Sequence, residues 1–174
     1  MPFIVVTPLS GLIQSIETYR PSHLVTLLSP EHMIETPARI SAGRHLRLAL
    51  NDVADALGCE APPERHHVAR LIDFGRSWHG DAPLIVHCWA GISRSMAAAY
   101  TLLCDRAGPG RELEVARDLR AQAPHAVPNP LMVRLADEVL ARGGRMVGAV
   151  ASIGRGEIVA EGRCVILPLG FPSV

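Results

Sequence analysis

The chain has 174 residues, of which 48% are hydrophobic and 20% are charged, a balance typical of a globular protein and not of a disordered one. The 17 basic and 17 acidic residues cancel, so no overall field attracts nucleic acid or an anionic membrane, and neither is expected as a partner. The N-terminus has no basic, signal-like segment, and no apolar run approaches the roughly 18 residues that span a bilayer. We therefore expect one cytoplasmic domain over residues 1–174.

The first part of the chain alternates short apolar segments with a helical pattern. In chain order it predicts a strand at Phe3–Val6, a helix at Ser10–Tyr19 and a strand at Leu24–Leu28. A loop follows at Ser29–Arg39, because two prolines and mixed charges interrupt the pattern. Alternating leucines then predict a strand at His45–Leu50.

The remainder of the chain is mainly helical. In chain order, the predicted helices lie at 62–78, 93–106, 112–121, 130–142 and 145–153. A wholly apolar strand, Leu84–Val86, separates the first two of them. Asn129 and Pro130 are typical of a helix N-terminus, and two glycines at 143 and 144 are typical of its end. Two β-rich pieces within Ile158–Leu167 predict a small C-terminal hairpin.

Strands that alternate with helices predict an α/β fold with a mostly parallel central sheet and helices on both of its faces. In such sheets, ligands bind at the carboxyl ends of the strands. The loops at 29–39, 51–62 and 88–94 each follow a predicted strand, so we expect them to share one face. A functional site of this chain is therefore expected on that face.

The most informative stretch is His87–Ser95, where an apolar strand leads into a short loop of small residues and then into a helix. This layout directs backbone N–H groups toward an anion. Cys88 places a thiol in the loop, and the helix dipole and the loop N–H groups favour its thiolate, which is the nucleophilic form. Arg94 supplies a planar fork for two phosphate oxygens, and Gly91 permits close backbone approach. This combination indicates phosphoryl transfer through cysteine.

Such a reaction also needs an acid for the leaving oxygen, and distance excludes two candidates. Asp81 lies seven residues before the cysteine, and it is therefore roughly 20 Å away, at the wrong end of the strand. Asp105 lies about 16 Å along the following helix. Asp52 and Asp55 follow the strand at 45–50 and fall on the correct face, so both remain candidates.

The string from His87 to Ser95 resembles the phosphate-binding loop of the protein tyrosine phosphatase superfamily. Its Ala90-Gly91 and Ser93-Arg94-Ser95 pieces are most similar to the dual-specificity branch. The similarity extends more loosely over residues 45–140. The resemblance implies the fold of the phosphotyrosine phosphatases and a reaction that needs no metal or other cofactor.

The mechanism that this resemblance implies has two steps. Cys88 attacks phosphorus and forms a cysteinyl-phosphate, and an aspartic acid protonates the leaving oxygen. The same aspartate then acts as base toward the water that hydrolyses the intermediate. The family places its acid just after such a strand, which favours Asp52 over Asp55.

Supporting roles follow for the neighbouring residues. Together with Arg94, the loop positions that would bind phosphate are Trp89, Ala90, Gly91, Ile92 and Ser93. Ser95 would hydrogen-bond the sulfur and ease its departure in the second step. His87 is expected to support the loop through hydrogen bonds, and Asn129 is a further supporting residue. Trp89 fits either the rim of the pocket or the core.

We expect a phosphatase whose partner is a phosphorylated protein, with phosphotyrosine and also phosphoserine or phosphothreonine as substrates. The five positions between Cys88 and Arg94 are uncharged, which disfavours a polyanionic lipid. The alternatives are a small non-protein phosphate ester, a non-catalytic phosphate-binding module and a rhodanese-type sulfurtransferase. Cys59 follows the candidate acids and is expected to be incidental, not a disulfide partner of Cys88.

Overall fold

The computed structural model describes residues 2–170 and contains a five-stranded sheet in the order β3-β2-β4-β1-β5. The strands are β1 (Phe3–Pro8), β2 (His23–Leu28), β3 (His45–Ala49), β4 (Leu84–Cys88) and β5 (Val165–Pro168). The first four run parallel, and β5 pairs antiparallel with β1. Both faces of β2 and β4 are buried, so their sequences are nearly continuous apolar runs instead of alternating patterns.

Helices pack on both faces of this sheet. They are α1 (Leu12–Tyr19), α2 (Arg65–Ser77), α3 (Arg94–Ala107), α4 (Glu112–Gln122), α5 (Pro130–Val139) and α6 (Arg145–Ser152). One face packs on α1 through Val5, Leu24 and Ile85. Successive strand residues point to opposite faces, so their neighbours face α2 to α6 and form the larger core. Within residues 2–170, no helix has the length and apolar character needed to cross a membrane.

Helix α3 fixes the end of β4 in place. Eleven of its 14 residues, Arg94–Cys104, are buried. The small side chains of Ala97, Ala98 and Ala99 let it pack closely between the sheet and helices α2, α4 and α5. Because both neighbours of the connecting loop are buried, the loop at 88–94 has little freedom to move.

The predicted α/β fold, with a mostly parallel sheet and helices on both faces, is confirmed, but the predicted C-terminal hairpin is wrong. Within 158–167, only the residues from Val165 onward form a strand, and this strand pairs with the free edge of β1. The preceding residues follow the surface of the molecule, where the N–H of Gly162 binds the carbonyl of Ala90. Leu167 and Leu169 are buried, and Phe171 lies outside the described residues.

A buried ion cluster joins the last three helices. The Glu112 carboxylate, 2% exposed, lies 3.5 Å from Arg142 Nη1 and 3.3 Å from Arg145 Nε. The Asp137 carboxylate accepts hydrogen bonds from the backbone N–H groups of Gly144 and Met146, both at 2.6 Å. It thereby caps α6, where four backbone donors lack partners within the helix.

We expect Glu112→Gln to lower the free energy of unfolding by about 3 kcal/mol or more, because it leaves the buried Arg142 without its countercharge. Urea unfolding monitored by circular dichroism measures this loss. Glu114→Gln is the matched control, because Glu114 pairs with Arg111 on the exposed surface of the same helix. Equal urea midpoints for the two variants would contradict the expectation.

Candidate active site

The loop between β4 and α3, residues 88–94, is called the cysteine loop below, and it brings Cys88 against two hydrogen-bonding groups. The N–H of Gly91 lies 3.3 Å from Cys88 Sγ and donates to it. Ser95 Oγ, from the first turn of α3, lies 3.1 Å from the same sulfur. The sulfur therefore lies beside a backbone donor, a hydroxyl and the N-terminal end of helix α3.

Neighbouring backbone segments hold the carbonyl oxygens of the cysteine loop on its outer side. Among these oxygens, Trp89 O accepts from the N–H of Leu9 at 3.0 Å, Ala90 O from that of Gly162 at 2.8 Å and Ile92 O from that of Val127 at 2.9 Å. In a planar trans peptide the N–H points away from the C=O, so the N–H groups that follow these three carbonyls point inward. The inner side of the loop is therefore lined by backbone donors.

Gly91 is required at its position by both conformation and space. Its φ of +69° lies in the left-handed region that favours glycine. A Cβ at this position would lie 2.8 Å from the backbone nitrogen of Pro8 and 3.1 Å from the carbonyl carbon of Thr7. The loop can therefore pack against the end of β1 only because residue 91 has no side chain.

Arg94 is 5% exposed and is oriented by the end of β3. Its Nη1 donates to the carbonyl of Leu50 at 2.9 Å. Its Nε is buried and has no hydrogen-bond partner among residues 2–170, and it lies 3.8 Å from Asp52 Oδ2. A guanidinium group that is held at one nitrogen and makes no hydrogen bond at another is suited to bind an oxyanion.

The structure brings Asp52 to the cysteine loop and leaves Asp55 away from it. Asp52 Oδ1 accepts hydrogen bonds from Ser93 Oγ at 2.6 Å and from Asn129 Nδ2 at 2.8 Å. Its Oδ2 faces Arg94, and the side chain is 39% exposed. Asp55 Oδ1 instead accepts from the N–H of Leu57 within the same exposed turn. Of the two candidate acids, only Asp52 has a described contact with the cysteine loop.

Asn129 connects the loop that carries Asp52 to helix α5. Its Nδ2 donates to both Asp52 Oδ1 and the carbonyl of Val53, at 2.8 and 3.0 Å. Its Oδ1 accepts from the N–H of Met132 at 3.0 Å, so the same side chain caps the helix. Asn129 thus holds Asp52 through one end of its amide group, while the other end is bonded to the first turn of α5.

Trp89 lies on the rim, since 53% of its side chain is exposed. Its ring lies edge-to-face with that of His32, with centroids 4.9 Å apart. His32 belongs to the loop at 29–39, called the rim loop below, so the predicted meeting of three strand-end loops on one face is observed. An aromatic surface therefore stands beside the cysteine.

His87 is completely buried behind the loop. Its Nδ1 lies 3.3 Å from the carbonyl oxygen of Cys88, and its Nε2 lies 2.7 Å from Thr26 Oγ1. Burial is the largest cause that lowers the pKa of His87, to about 4, against a smaller opposing effect of the hydrogen bond to Cys88. The ring is therefore neutral at neutral pH.

This burial predicts a pH-dependent stability. The unfolded state binds a proton at His87 below about pH 6.5, whereas the folded state binds it only near pH 4. Stability is thus fully present above pH 6.5 and falls by about 3 kcal/mol as the pH drops to 4. Urea unfolding at several pH values measures this slope. We expect His87→Asn to flatten it, and equal slopes for variant and wild type would contradict the interpretation.

Sequence reasoning missed the C-terminal segment at 154–164, called the strap below. Arg120 Nη2 donates to the carbonyl of Gly154 at 2.9 Å, and the N–H of Gly162 reaches the cysteine loop. A Cβ at residue 162 would lie 2.7 Å from His125 Nε2 and 2.8 Å from the carbonyl oxygen of Gly91. The density of glycines at 154, 156 and 162 was the only signal of this close approach.

The four cysteines all have free thiols. Cys59 is exposed, and its Sγ donates to the carbonyl of Leu57 at 3.7 Å. Burial raises the pKa of the Cys104 thiol to about 12, so this cysteine is a core residue and not a nucleophile. Among residues 2–170, no group of three or more His, Cys, Asp or Glu side chains is arranged to hold a metal ion.

Comparison with protein-family models gives no match, and neither does comparison with curated proteins. Solved structures do match. DUSP15 is 18% identical with a TM-score of 0.58, and the alignment covers 90% of this chain and 96% of that one. The Yvh1 phosphatase domain from Chaetomium thermophilum is 18% identical with a TM-score of 0.55, and the alignment covers 82% of this chain and 93% of that domain. PTPMT1 in complex with PI(5)P is 14% identical with a TM-score of 0.50, and the alignment covers 86% of this chain and 91% of that one. The chain has the fold of these phosphatases.

Proposed function

We propose that this chain is a cysteine-dependent phosphatase that hydrolyses phosphate monoesters through a cysteinyl-phosphate, with phosphotyrosine as the favoured substrate. One observation carries the proposal: the cysteine loop directs backbone donors inward around Cys88, beside the buried guanidinium of Arg94. This arrangement is complementary to a tetrahedral oxyanion that sits directly above a sulfur nucleophile. The shared fold is consistent with the proposal.

In the first step, the Cys88 thiolate donates an electron pair to phosphorus, and the bond from phosphorus to the ester oxygen breaks. The loop N–H groups and Arg94 hold the remaining phosphate oxygens, on which negative charge is concentrated. Asp52 donates a proton to the leaving oxygen. Its Oδ2 is suited to carry that proton, because Oδ1 is committed to Ser93 and Asn129.

In the second step, a water oxygen attacks phosphorus while the Asp52 carboxylate takes one of its protons. The bond between sulfur and phosphorus breaks, and inorganic phosphate is released. The leaving thiolate is stabilised by the Ser95 hydroxyl at 3.1 Å and the Gly91 N–H at 3.3 Å. Asp52 is thereby protonated again and can donate that proton to the leaving oxygen of the next substrate.

Two features support phosphotyrosine over a phosphoinositide. The exposed rings of Trp89 and His32 offer an aromatic surface beside the cysteine, against which a phenyl ring packs favourably. The loop positions between Cys88 and Arg94 carry no cation for further phosphate groups. PTPMT1, which shares the fold, was solved with PI(5)P, so a phosphoinositide belongs in the substrate panel.

Pre-steady-state hydrolysis of 4-nitrophenyl phosphate, with a chelator present, tests the proposal. We expect a burst of about one equivalent of 4-nitrophenol per protein before the steady state, because the cysteinyl-phosphate forms faster than it breaks down. Phosphate binding without turnover would instead indicate a non-catalytic module. Transfer of sulfur from thiosulfate to cyanide without phosphatase activity would indicate a sulfurtransferase.

A further inference from the structure

Four side chains form a continuous row of hydrogen bonds behind the cysteine loop. Thr36 Oγ1 lies 2.9 Å from His45 Nδ1, and His45 Nε2 lies 2.8 Å from Thr26 Oγ1. Thr26 Oγ1 also lies 2.7 Å from His87 Nε2, and His87 Nδ1 lies 3.3 Å from the Cys88 carbonyl oxygen. The row thus runs from the rim loop, through β3 and β2, to the backbone of the candidate nucleophile in β4.

The hydrogen atoms of this row have one arrangement that satisfies every contact. The Cys88 carbonyl can only accept, so a hydrogen bond to it requires the proton of the neutral His87 ring on Nδ1. His87 Nε2 must then accept from the Thr26 hydroxyl. That hydroxyl has a single hydrogen, so its oxygen must accept from Nε2–H of His45. His45 Nδ1 is then an acceptor, and the Thr36 hydroxyl donates to it.

The opposite arrangement leaves an unpaired contact beside the nucleophile. If His87 carried its proton on Nε2, the lone pair of Nδ1 would face the lone pairs of the Cys88 carbonyl, in a fully buried position. Burial of an unpaired acceptor is energetically unfavourable, because the group loses its hydrogen bonds to water. Both rings are neutral at neutral pH, because burial lowers the pKa of His45 and of His87 to about 4 in each case.

We propose that Thr36, His45 and Thr26 are positioning residues that act through His87: they fix its proton on Nδ1 and thereby hold the Cys88 backbone in the geometry that aims the sulfur. The protonated nitrogen of a histidine is commonly selected by the hydrogen bonds at both ring nitrogens. Here the Cys88 carbonyl at Nδ1 and the Thr26 hydroxyl at Nε2 select the same tautomer, and His45 and Thr36 orient that hydroxyl. The row also links the rim loop, which carries His32 beside Trp89, to the base of the cysteine loop. The rate effect rests on the proposed phosphatase function, but the proton position does not.

Nitrogen-15 NMR of the imidazole rings tests the proton positions directly, because long-range proton–nitrogen correlations distinguish Nδ1–H from Nε2–H tautomers. The chain has eight histidines, and single substitutions at His45 and His87 identify the signals of these two rings. In the wild type we expect His87 as the Nδ1–H tautomer and His45 as the Nε2–H tautomer. Detection of His87 as the Nε2–H tautomer overturns the proposal.

Removal of the central hydroxyl tests the positioning role. We expect Thr26→Val, which keeps the side-chain shape, to populate both tautomers of His87 and to lower kcat/KM for 4-nitrophenyl phosphate roughly tenfold. Thr26→Ser restores the hydroxyl, and we expect it to restore the tautomer and most of the rate. Thr101→Val is the matched control, because Thr101 is equally buried but its hydroxyl bonds only within α3, to the carbonyl of Ala97.

Two comparisons keep this test decisive. If Thr26→Val slows the reaction but leaves the His87 tautomer unchanged, the threonine has only a structural role and the proposal is overturned. If Thr26→Val does not fold, Thr36→Val replaces it in the test, because Thr36 is only half-buried. An unchanged His45 tautomer in Thr36→Val overturns the proposal. Absence of hydrolysis by the wild type would contradict the proposed function alone, because the tautomers are measured without a substrate.

Discussion

Substituting Cys88 by serine is expected to reduce hydrolysis of 4-nitrophenyl phosphate by roughly 10⁴-fold or more. A serine hydroxyl is not ionised at neutral pH, so the hydrogen-bond donors around residue 88 have no anionic nucleophile to stabilise. Steady-state release of 4-nitrophenol measures the loss, and circular dichroism verifies the fold. The pre-steady-state burst should vanish as well, because no covalent intermediate can form.

The same variant should still bind inorganic phosphate, which isothermal titration calorimetry measures. The inward N–H groups and Arg94, which would make the contacts to phosphate, do not depend on the sulfur. Cys59→Ser is the matched control, since Cys59 is exposed and bonds only within its own turn, and it should retain full activity. Equal activity in Cys88→Ser and the wild type would rule out the cysteine mechanism.

Substituting Asp52 by asparagine is expected to lower kcat for phenyl phosphate roughly 10²-fold or more, because phenolate is a poor leaving group without a proton. The loss should be smaller for 4-nitrophenyl phosphate, whose leaving group is stable as an anion. The amide preserves the acceptor that binds Ser93 and Asn129, so the loop should keep its place. Steady-state kinetics with the two esters measures this difference.

A second role of Asp52 makes the choice of substrates essential. Asp52 Oδ2 lies 3.8 Å from Arg94 Nε, so the substitution also removes a charge partner of Arg94. Loss of that pairing alone would lower the rates of hydrolysis of both esters by the same factor. Asp55→Asn is the matched control, because its carboxylate only caps its own turn, and little loss is expected. If Asp55→Asn alone gave the dependence on leaving group, Asp55 would be the acid.

The parts of this architecture that could be predicted from sequence are those written in local patterns. The apolar run before His87 and the alanine-rich run after Arg94 predict β4 and α3, and thus the position of the cysteine loop. Asp52 and Asp55 became candidates because parallel strands place the residues that follow them on one edge, and the family resemblance favoured Asp52. Asn129 was recognised as a helix cap, although its contact with Asp52 required the three-dimensional structure.

The contacts that could not be predicted join residues far apart in the chain. β5 pairs with β1 across about 160 residues, and nothing in its four-residue sequence indicates which strand it pairs with. Thr26 and His45 looked like ordinary strand residues, since only the register of β2 against β3 and β4 brings their side chains together with His87. Side-chain pairing across a sheet is set by register, which a single sequence does not specify.

The attachment of the strap has a consequence for the synthesis of this protein. The carbonyl of Ala90 acquires its partner only when Gly162 is present, and the edge of β1 is covered only when residues 165–168 follow. A growing chain that has emerged only as far as α6 therefore has the cysteine, the arginine and the aspartate but an incomplete loop. It also exposes a parallel edge strand that can pair with other chains. Completion of the C-terminal segment thus covers the edge of β1 and supplies a hydrogen-bond partner to the cysteine loop.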